Sequence, residues 1–136
     1  MEKDFKIGVC CSTFDLCHAG HLLYLKEASE NCDYLVAMLQ TDPSIDRPEK
    51  RKPVESLEER MIRLESCKYV DEVCVYDTEQ QLWEQLNELK PDILFMGSDW
   101  INRKNPIKEL AKEVYYHDRT VHTYSSSSLK DRINTS

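Results

Sequence analysis

Short apolar runs alternate with amphipathic helical stripes along this chain, and that alternation restricts the fold more than any other feature. Phe5 to Cys11 reads as a strand, and Leu22, Tyr24, Leu25, Ala28 and Cys32 form a helical stripe behind it. Asp33 to Leu39 is the second strand-like run. After a polar stretch from Thr41 to Glu55, Ser56 and Glu59 have the spacing of a capping box ahead of Leu57, Met61 and Leu64. Asp71 to Tyr76 predicts a third strand, and Thr78 with Gln81 repeats the capping pattern before Leu82, Leu86 and Leu89. Ile93 to Met96, ending at Gly97, predicts a fourth strand. The remainder predicts a helix near Pro106 to Glu113, a short strand at Val114 to Tyr116 and a last helix carrying Leu129 and Ile133.

Strands separated by helices of about three turns require right-handed crossovers, so the fold class is α/β, a doubly wound parallel sheet with helices on both faces. At 136 residues the chain suits one core, and a single domain over residues 1–136 is expected. Ligands of such sheets bind beyond the carboxyl ends of the strands, at a topological switch point. The residues to inspect are therefore those just after Cys11, Gln40, Tyr76 and Gly97.

Composition removes several functions. Gly8, Gly20 and Gly97 are the only glycines, so neither a G-x-G-x-x-G dinucleotide loop nor a G-x-x-x-x-G-K-[ST] phosphate loop can be written. Against 18 Lys+Arg stand 25 Asp+Glu, a formal charge of −7, the reverse of a nucleic-acid footprint, so no nucleic-acid partner is expected. No window approaches the ~20 apolar residues of a membrane span, and Met1-Glu2-Lys3-Asp4 does not open a signal peptide. A cytoplasmic protein without a membrane partner is expected. The six cysteines include no C-x-x-C pair and read as free thiols in a reducing compartment; no residue is assigned as a metal ligand.

Straight after the first strand comes Cys11-Ser12-Thr13-Phe14-Asp15-Leu16-Cys17-His18-Ala19-Gly20-His21, running into the first helix. A helix N-terminus offers unpaired N–H groups and a positive dipole end, and two imidazoles beside it can donate to a phosphate that gains charge during displacement. Gly20 lets the backbone approach closely. A lone histidine is more often a cap than a catalyst, but two in H-x-G-H spacing at a strand-to-helix switch point to phosphate chemistry.

In these residues the chain resembles the H-x-G-H nucleotidyltransferases, most closely small cytidylyltransferases of the glycerol-3-phosphate cytidylyltransferase type. Their G-T-F-D-x-x-H-x-G-H stretch is matched by Ser12 through His21, with Ser12 in place of the usual glycine. Lys50-Arg51-Lys52 matches a basic loop, Gly97-Ser98-Asp99-Trp100 a G-x-D-W element, and Arg119-Thr120 with Ser125 to Ser128 approximates an R-T-x-G-x-S-T-T signature. The resemblance implies a Rossmann-like nucleotidyltransferase fold and transfer of CMP from CTP to a small phosphate monoester, glycerol 3-phosphate first. An acceptor oxygen attacks the α-phosphorus in line and pyrophosphate leaves, with Mg²⁺ carried on the triphosphate. It also implies a homodimer.

By the same resemblance His18, His21, Lys52 and Arg119 are catalytic. Ser12, Thr13, Phe14, Gly20, Gly97, Asp99, Trp100, Arg119, Thr120, Ser125, Ser126 and Ser127 bind the nucleotide, while Asp15, Ala19, Lys50, Arg51, Arg60 and Lys68 serve the acceptor. Arg47, Lys50, Arg51 and Lys52 supply the local positive charge that two anionic substrates need in an acidic protein, on a loop read as a lid. Arg63 is read as solvent-facing; His117 and His122 receive no role. Two rivals remain. His18-Ala19-Gly20-His21 and the Pro53 to Leu64 segment also resemble heptose-phosphate adenylyltransferases, and a catalytically idle nucleotide-binding module would explain Ser12, Lys68 and the altered link at Val121-His122-Thr123-Tyr124.

Overall fold

Five strands, all parallel, realise the alternation in a computed structural model that describes residues 5–17 and 19–118. They are β1 (Ile7–Ser12), β2 (Tyr34–Gln40), β3 (Glu72–Tyr76), β4 (Ile93–Gly97) and β5 (Glu113–His117), joined by helices α1 (Ala19–Glu30), α2 (Leu57–Glu65) and α3 (Glu79–Leu89). The order across the sheet is β3-β2-β1-β4-β5. The chain winds outward from β1 to β3 and then returns to the other side of β1, so the topological switch falls between β1 and β4.

Both faces of the sheet are covered, which is why the inner strands read as nearly continuous apolar runs. On one face Cys10, Leu35, Ala37, Leu39 and Phe95 pack under Leu25 and Ala28 of α1 and Leu64 of α2. On the other, Val9, Val36, Met38 and Leu94 pack under Leu82 and Leu86 of α3 and under Ile107. Gly8 marks a close approach: a Cβ there would stand 2.5 Å from Phe95 Cε2 and 2.8 Å from Cys32 Sγ.

The local signals act as their chemistry demands. The Glu59 N–H donates to Ser56 Oγ at 3.2 Å and the Ser56 N–H to Glu59 Oε1 at 3.1 Å, a complete capping box. At α3 the Gln81 N–H donates to Thr78 Oγ1, but the Gln81 side-chain oxygen accepts from Asp77, one residue before the position a box requires. Lys90 ends α3 in the left-handed region at φ 52°.

The helix expected from Pro106 to Glu113 is instead a 3-10 turn over Pro106–Leu110. Ala111 is already extended, and the Glu113 N–H donates to the Asp92 carbonyl as the chain enters the sheet beside β4. Pairing with β4 outweighs a helical preference of only tenths of a kcal/mol per residue. The last predicted helix, with Leu129 and Ile133, lies outside the described residues.

Candidate active site

The turn from β1 into α1 is anchored from three directions. Phe14 and Leu16 adopt φ of 49° and 53°, a left-handed conformation costing a non-glycine residue roughly 1–2 kcal/mol. Burial of the whole Phe14 side chain offsets the first. For the second, the Leu16 N–H donates to Glu55 Oε1 at 2.7 Å, and Glu55 in turn takes Arg63 Nε on its other oxygen at 2.7 Å. Between them, the buried Asp15 carboxylate accepts the N–H groups of Val54 and Glu55 at 2.8 and 2.9 Å.

Arg60 supplies the third anchor. Its guanidinium donates to the carbonyls of Thr13, Gln40, Thr41, Glu55 and Ser56 at 2.6–3.3 Å, and the residue is 2% exposed. Burial pulls its pKa down against the opposing pull of Asp15, Glu55 and Asp42. Arg60 is thus a strut tying the ends of β1 and β2 to the start of α2, and its planar fork is spent on backbone. Arg60 and Asp15, which the resemblance implies for the acceptor, hold the turn and lie outside the cleft lining.

Above the anchored turn lies a cleft of about 630 Å³ at the carboxyl ends of the strands. Ser12, Thr13, Phe14, Gly20 and His21 line it from the junction, and Gly97 and Trp100 from the end of β4. Asp99 belongs to the same short 3-10 turn as Trp100. His21 packs on Phe14 with ring centroids 5.7 Å apart, which fixes the imidazole at the α1 N-terminus. Lys50 reaches the cleft from the loop after β2.

Arg47, which the sequence placed in the positive loop without a site role, also lines the cleft; its Nη2 stands 3.7 Å from Glu79 Oε1. Burial pushes the Glu79 carboxyl up, and Arg47 opposes that shift. Gln40, at the end of β2, was legible only as a strand end. Among the described residues its amide nitrogen and Arg47 Nε are buried without hydrogen-bond partners, and both residues line the cleft.

A second overlooked group stands at the end of β5. Tyr115 and His117 occupy alternate positions of the strand and share the face under α1. Tyr115 donates its hydroxyl to Glu27 Oε1 at 2.8 Å, and His117 Nδ1 is paired with Glu27 Oε2. Burial raises the Glu27 pKa, but the hydrogen bonds from His117 and Tyr115 outweigh it and leave the carboxyl below its usual value. The His117 ring meets Tyr24 edge-on with centroids 5.4 Å apart, and His117 lines the cleft. A pair 90 positions apart carries no local sequence signal.

Other implied residues are not brought to the cleft. Ala19 is exposed as the first residue of α1, and Arg51 and Lys52 are exposed on the loop, outside the cleft lining. Lys68 lies where α2 has run back to the amino end of β3, the opposite end of the sheet, with Nζ 5.2 Å from the Tyr69 ring centroid. Lys68, which the resemblance implies for the acceptor, is not among the residues lining the cleft. Arg63 is exposed as expected, although paired with Glu55. His18, Arg119, Thr120, Ser125, Ser126 and Ser127 lie outside the described residues. Among the described residues no cluster of three or more His, Cys, Asp or Glu could hold a metal ion, and no helix is long and apolar enough to cross a membrane.

Comparison with known proteins gives concordant results. Residues 9–132 match the family described as Cytidylyltransferase-like. Glycerol-3-phosphate cytidylyltransferase of Bacillus subtilis (strain 168) is 34% identical over 121 residues, 89% of this chain and 92% of that protein. FAD synthase of Thermococcus sibiricus is 34% identical over 114 residues, 83% of this chain and 77% of that protein. The bifunctional protein HldE of Helicobacter hepaticus is 35% identical over 135 residues, 98% of this chain, but the match spans only 28% of that longer protein. In fold, the chain is similar to a lipopolysaccharide core biosynthesis protein from Thermoplasma volcanium GSS1, with TM-score 0.68 and 24% identity over 85% of this chain and 98% of that one. These likenesses accord with the Rossmann-like α/β sheet described above.

Proposed function

From the premise that this chain belongs to the cytidylyltransferase-like family, we propose that it transfers CMP from CTP to a small phosphate monoester, with glycerol 3-phosphate the first acceptor to test. The observation that carries the reading is the cleft wall in which His21 and Gly20, at the N-terminus of α1, face Gly97 and Trp100 across the switch between β1 and β4. Backbone N–H groups and an imidazole there suit a phosphate that gains charge in the transition state.

In the proposed reaction an acceptor phosphate oxygen attacks the α-phosphorus, the new P–O bond forms opposite the bond to pyrophosphate, and pyrophosphate leaves with the electron pair. His21 and the start of α1 stabilise the developing charge, while Thr13 and Gly20 let the phosphate chain lie close to the backbone. Lys50, Arg47 and the Gln40 amide receive the acceptor on the opposite wall. Among the described residues no cluster of carboxylate, imidazole or thiol ligands gathers in the cleft, and Mg²⁺ enters this reading as an ion carried on triphosphate oxygens. Homodimer formation belongs to the proposal on family grounds.

A second reading, adenylyl transfer to a phosphorylated acceptor such as a sugar phosphate, is favoured by one observation: the FAD synthase, whose named product contains adenine, matches at the same 34% identity as the cytidylyltransferase. Pyrophosphate release measured with Mg²⁺ over CTP, ATP, GTP and UTP, each against glycerol 3-phosphate, phosphocholine, phosphoethanolamine and several sugar phosphates, separates the two. Release in the CTP row that vanishes in His21→Ala is expected. Release confined to the ATP row overturns the cytidylyl assignment. Silence throughout, with CTP still bound, favours the idle binding module.

A further inference from the structure

We infer that His117, steered by Glu27, is an additional residue of the nucleotide half of this cleft, its Nε2 donating a hydrogen bond to a phosphate oxygen of the bound nucleoside triphosphate. The inference rests on the proposed nucleotide chemistry and adds to it a contact outside the H-x-G-H stretch.

Position assigns the half. His117 ends β5 in register with Gly97 of β4, and the Ser98–Trp100 turn packs against β5. Its ring meets Tyr24, which is one turn along α1 from His21. It therefore stands between the start of α1 and the end of β4, on the β4 side of the switch. Arg47, Glu79 and Gln40 occupy the wall beyond β2 and β3 instead.

Chemistry assigns the role. With Nδ1 paired to Glu27, any hydrogen bond from the ring to a ligand passes through Nε2. Glu27 behind the ring fixes its orientation and leaves Nε2 as the nitrogen that a ligand in the cleft meets. Tyr115 on the other Glu27 oxygen limits the carboxylate's rotation. Glu27 is not itself part of the cleft lining and acts only through His117, as a positioning residue. A half-buried carboxylate–imidazole pair contributes little net stability that an apolar pair could not match, so the juxtaposition asks for a further reason, and the lining position of His117 supplies one.

The test compares wild type, His117→Ala, His117→Gln and Glu27→Gln in steady-state transfer and in calorimetric binding of CTP and ATP. A lost hydrogen bond to a charged group corresponds to roughly a 10- to 100-fold fall in kcat/KM for the nucleotide in His117→Ala. The acceptor KM should stay within about twofold of wild type, glutamine should recover most of the loss, and Glu27→Gln should lose about fivefold in the same parameter, a pattern that mere loosening of the fold would not give. Nucleotide parameters unchanged in His117→Ala, or a defect confined to the acceptor KM, overturn the inference. If the alanine variant does not fold, His117→Gln and Glu27→Gln decide it: a nucleotide-specific loss in Glu27→Gln beside near-normal His117→Gln upholds it, and no nucleotide-specific change in Glu27→Gln overturns it. If wild type binds nucleotide but transfers nothing, the proposed reaction fails alone; a tenfold weaker Kd in the histidine variant then upholds the contact and an unchanged Kd overturns it. No nucleotide binding by wild type defeats both.

Discussion

The two walls of the cleft are built in opposite ways. The wall at the β1–α1 junction is fixed by buried groups from distant segments: Asp15 on the amides of residues 54 and 55, Glu55 on Leu16, and Arg60 on carbonyls of both β-strand ends. The opposite wall is a loop whose Lys50, Arg51 and Lys52 are exposed and whose Arg47 stands 3.7 Å from its carboxylate partner. The difference has a physical logic. Stabilising a reacting phosphate needs donors already in place, since reorganising them would raise the barrier. Receiving an acceptor that differs from relative to relative needs donors that can be re-aimed.

Breaking the fixed wall at its reacting end should have the largest effect. His21→Ala is expected to lower kcat by about 10²–10³-fold, the scale of one lost transition-state donor. The melting temperature should change little, because the His21 side chain is only half-buried. Single-turnover transfer with a fluorescent pyrophosphate sensor checks this, and a loss below tenfold would move the chemistry elsewhere in the cleft.

Breaking the fixed wall at its support should look different. Arg60→Met removes the guanidinium donors of five carbonyls, of which Ser56 keeps the Arg60 N–H and two make buried bonds to Arg60. Each stranded acceptor costs on the order of 1 kcal/mol or more, so a loss near 3 kcal/mol and a fall of about 10 °C in melting temperature are expected. Arg60→Lys should rescue little, because a point ammonium cannot replace the planar fork. Calorimetry that found Arg60→Met as stable as wild type would show that the strut is dispensable.

The open wall supplies the sharper contrast in kinetics. Lys50→Ala is expected to raise the acceptor KM about fivefold to tenfold with a smaller effect on nucleotide KM, the scale of one exposed charged contact. Lys68→Ala, at the far end of the sheet, should leave both constants within about twofold. Equal effects of the two substitutions would contradict the division of the basic residues drawn above.

That division also marks where the sequence was legible. The Ser56/Glu59 box, the strand-like runs and the place of His21 at a strand-to-helix turn all follow from residues within a few positions of one another, and the structure carries each of them. Arg60 and Lys68 were read as acceptor ligands through the family resemblance. An arginine suited to phosphate is equally suited to carbonyls, and only contacts 19 to 47 positions away tell which it meets. For Lys68 the fold itself held the answer, since a crossover helix that starts at the carboxyl end of one strand must finish at the amino end of the next. Glu27 with His117 was invisible because α1 and β5 meet only once the whole sheet is assembled. The tail from Arg119 contributes to none of these contrasts, as it lies outside the described residues.

The smallest effect probes the fixed wall from inside. Burial pushes the Cys17 thiol up to about 11, with Cys67 and Glu55 adding to the shift and Arg63 opposing it. At pH 8 such a thiol holds roughly a hundredth of the thiolate of one titrating near 9. Alkylation of Cys17 by iodoacetamide, followed by peptide mass spectrometry, should therefore run about 100-fold slower than that of an unstructured peptide cysteine. Its rate should climb about tenfold per pH unit until pH 11. The sign for stability follows from the same shift. The folded state keeps this proton after the unfolded chain has released it, so the contribution is fully present below pH 9 and is lost as the pH rises toward 11. A Cys17 that reacts at pH 8 as fast as the peptide would mean that the β1–α1 turn opens freely, and the contrast between a fixed and an adaptable wall would then fail at its fixed side.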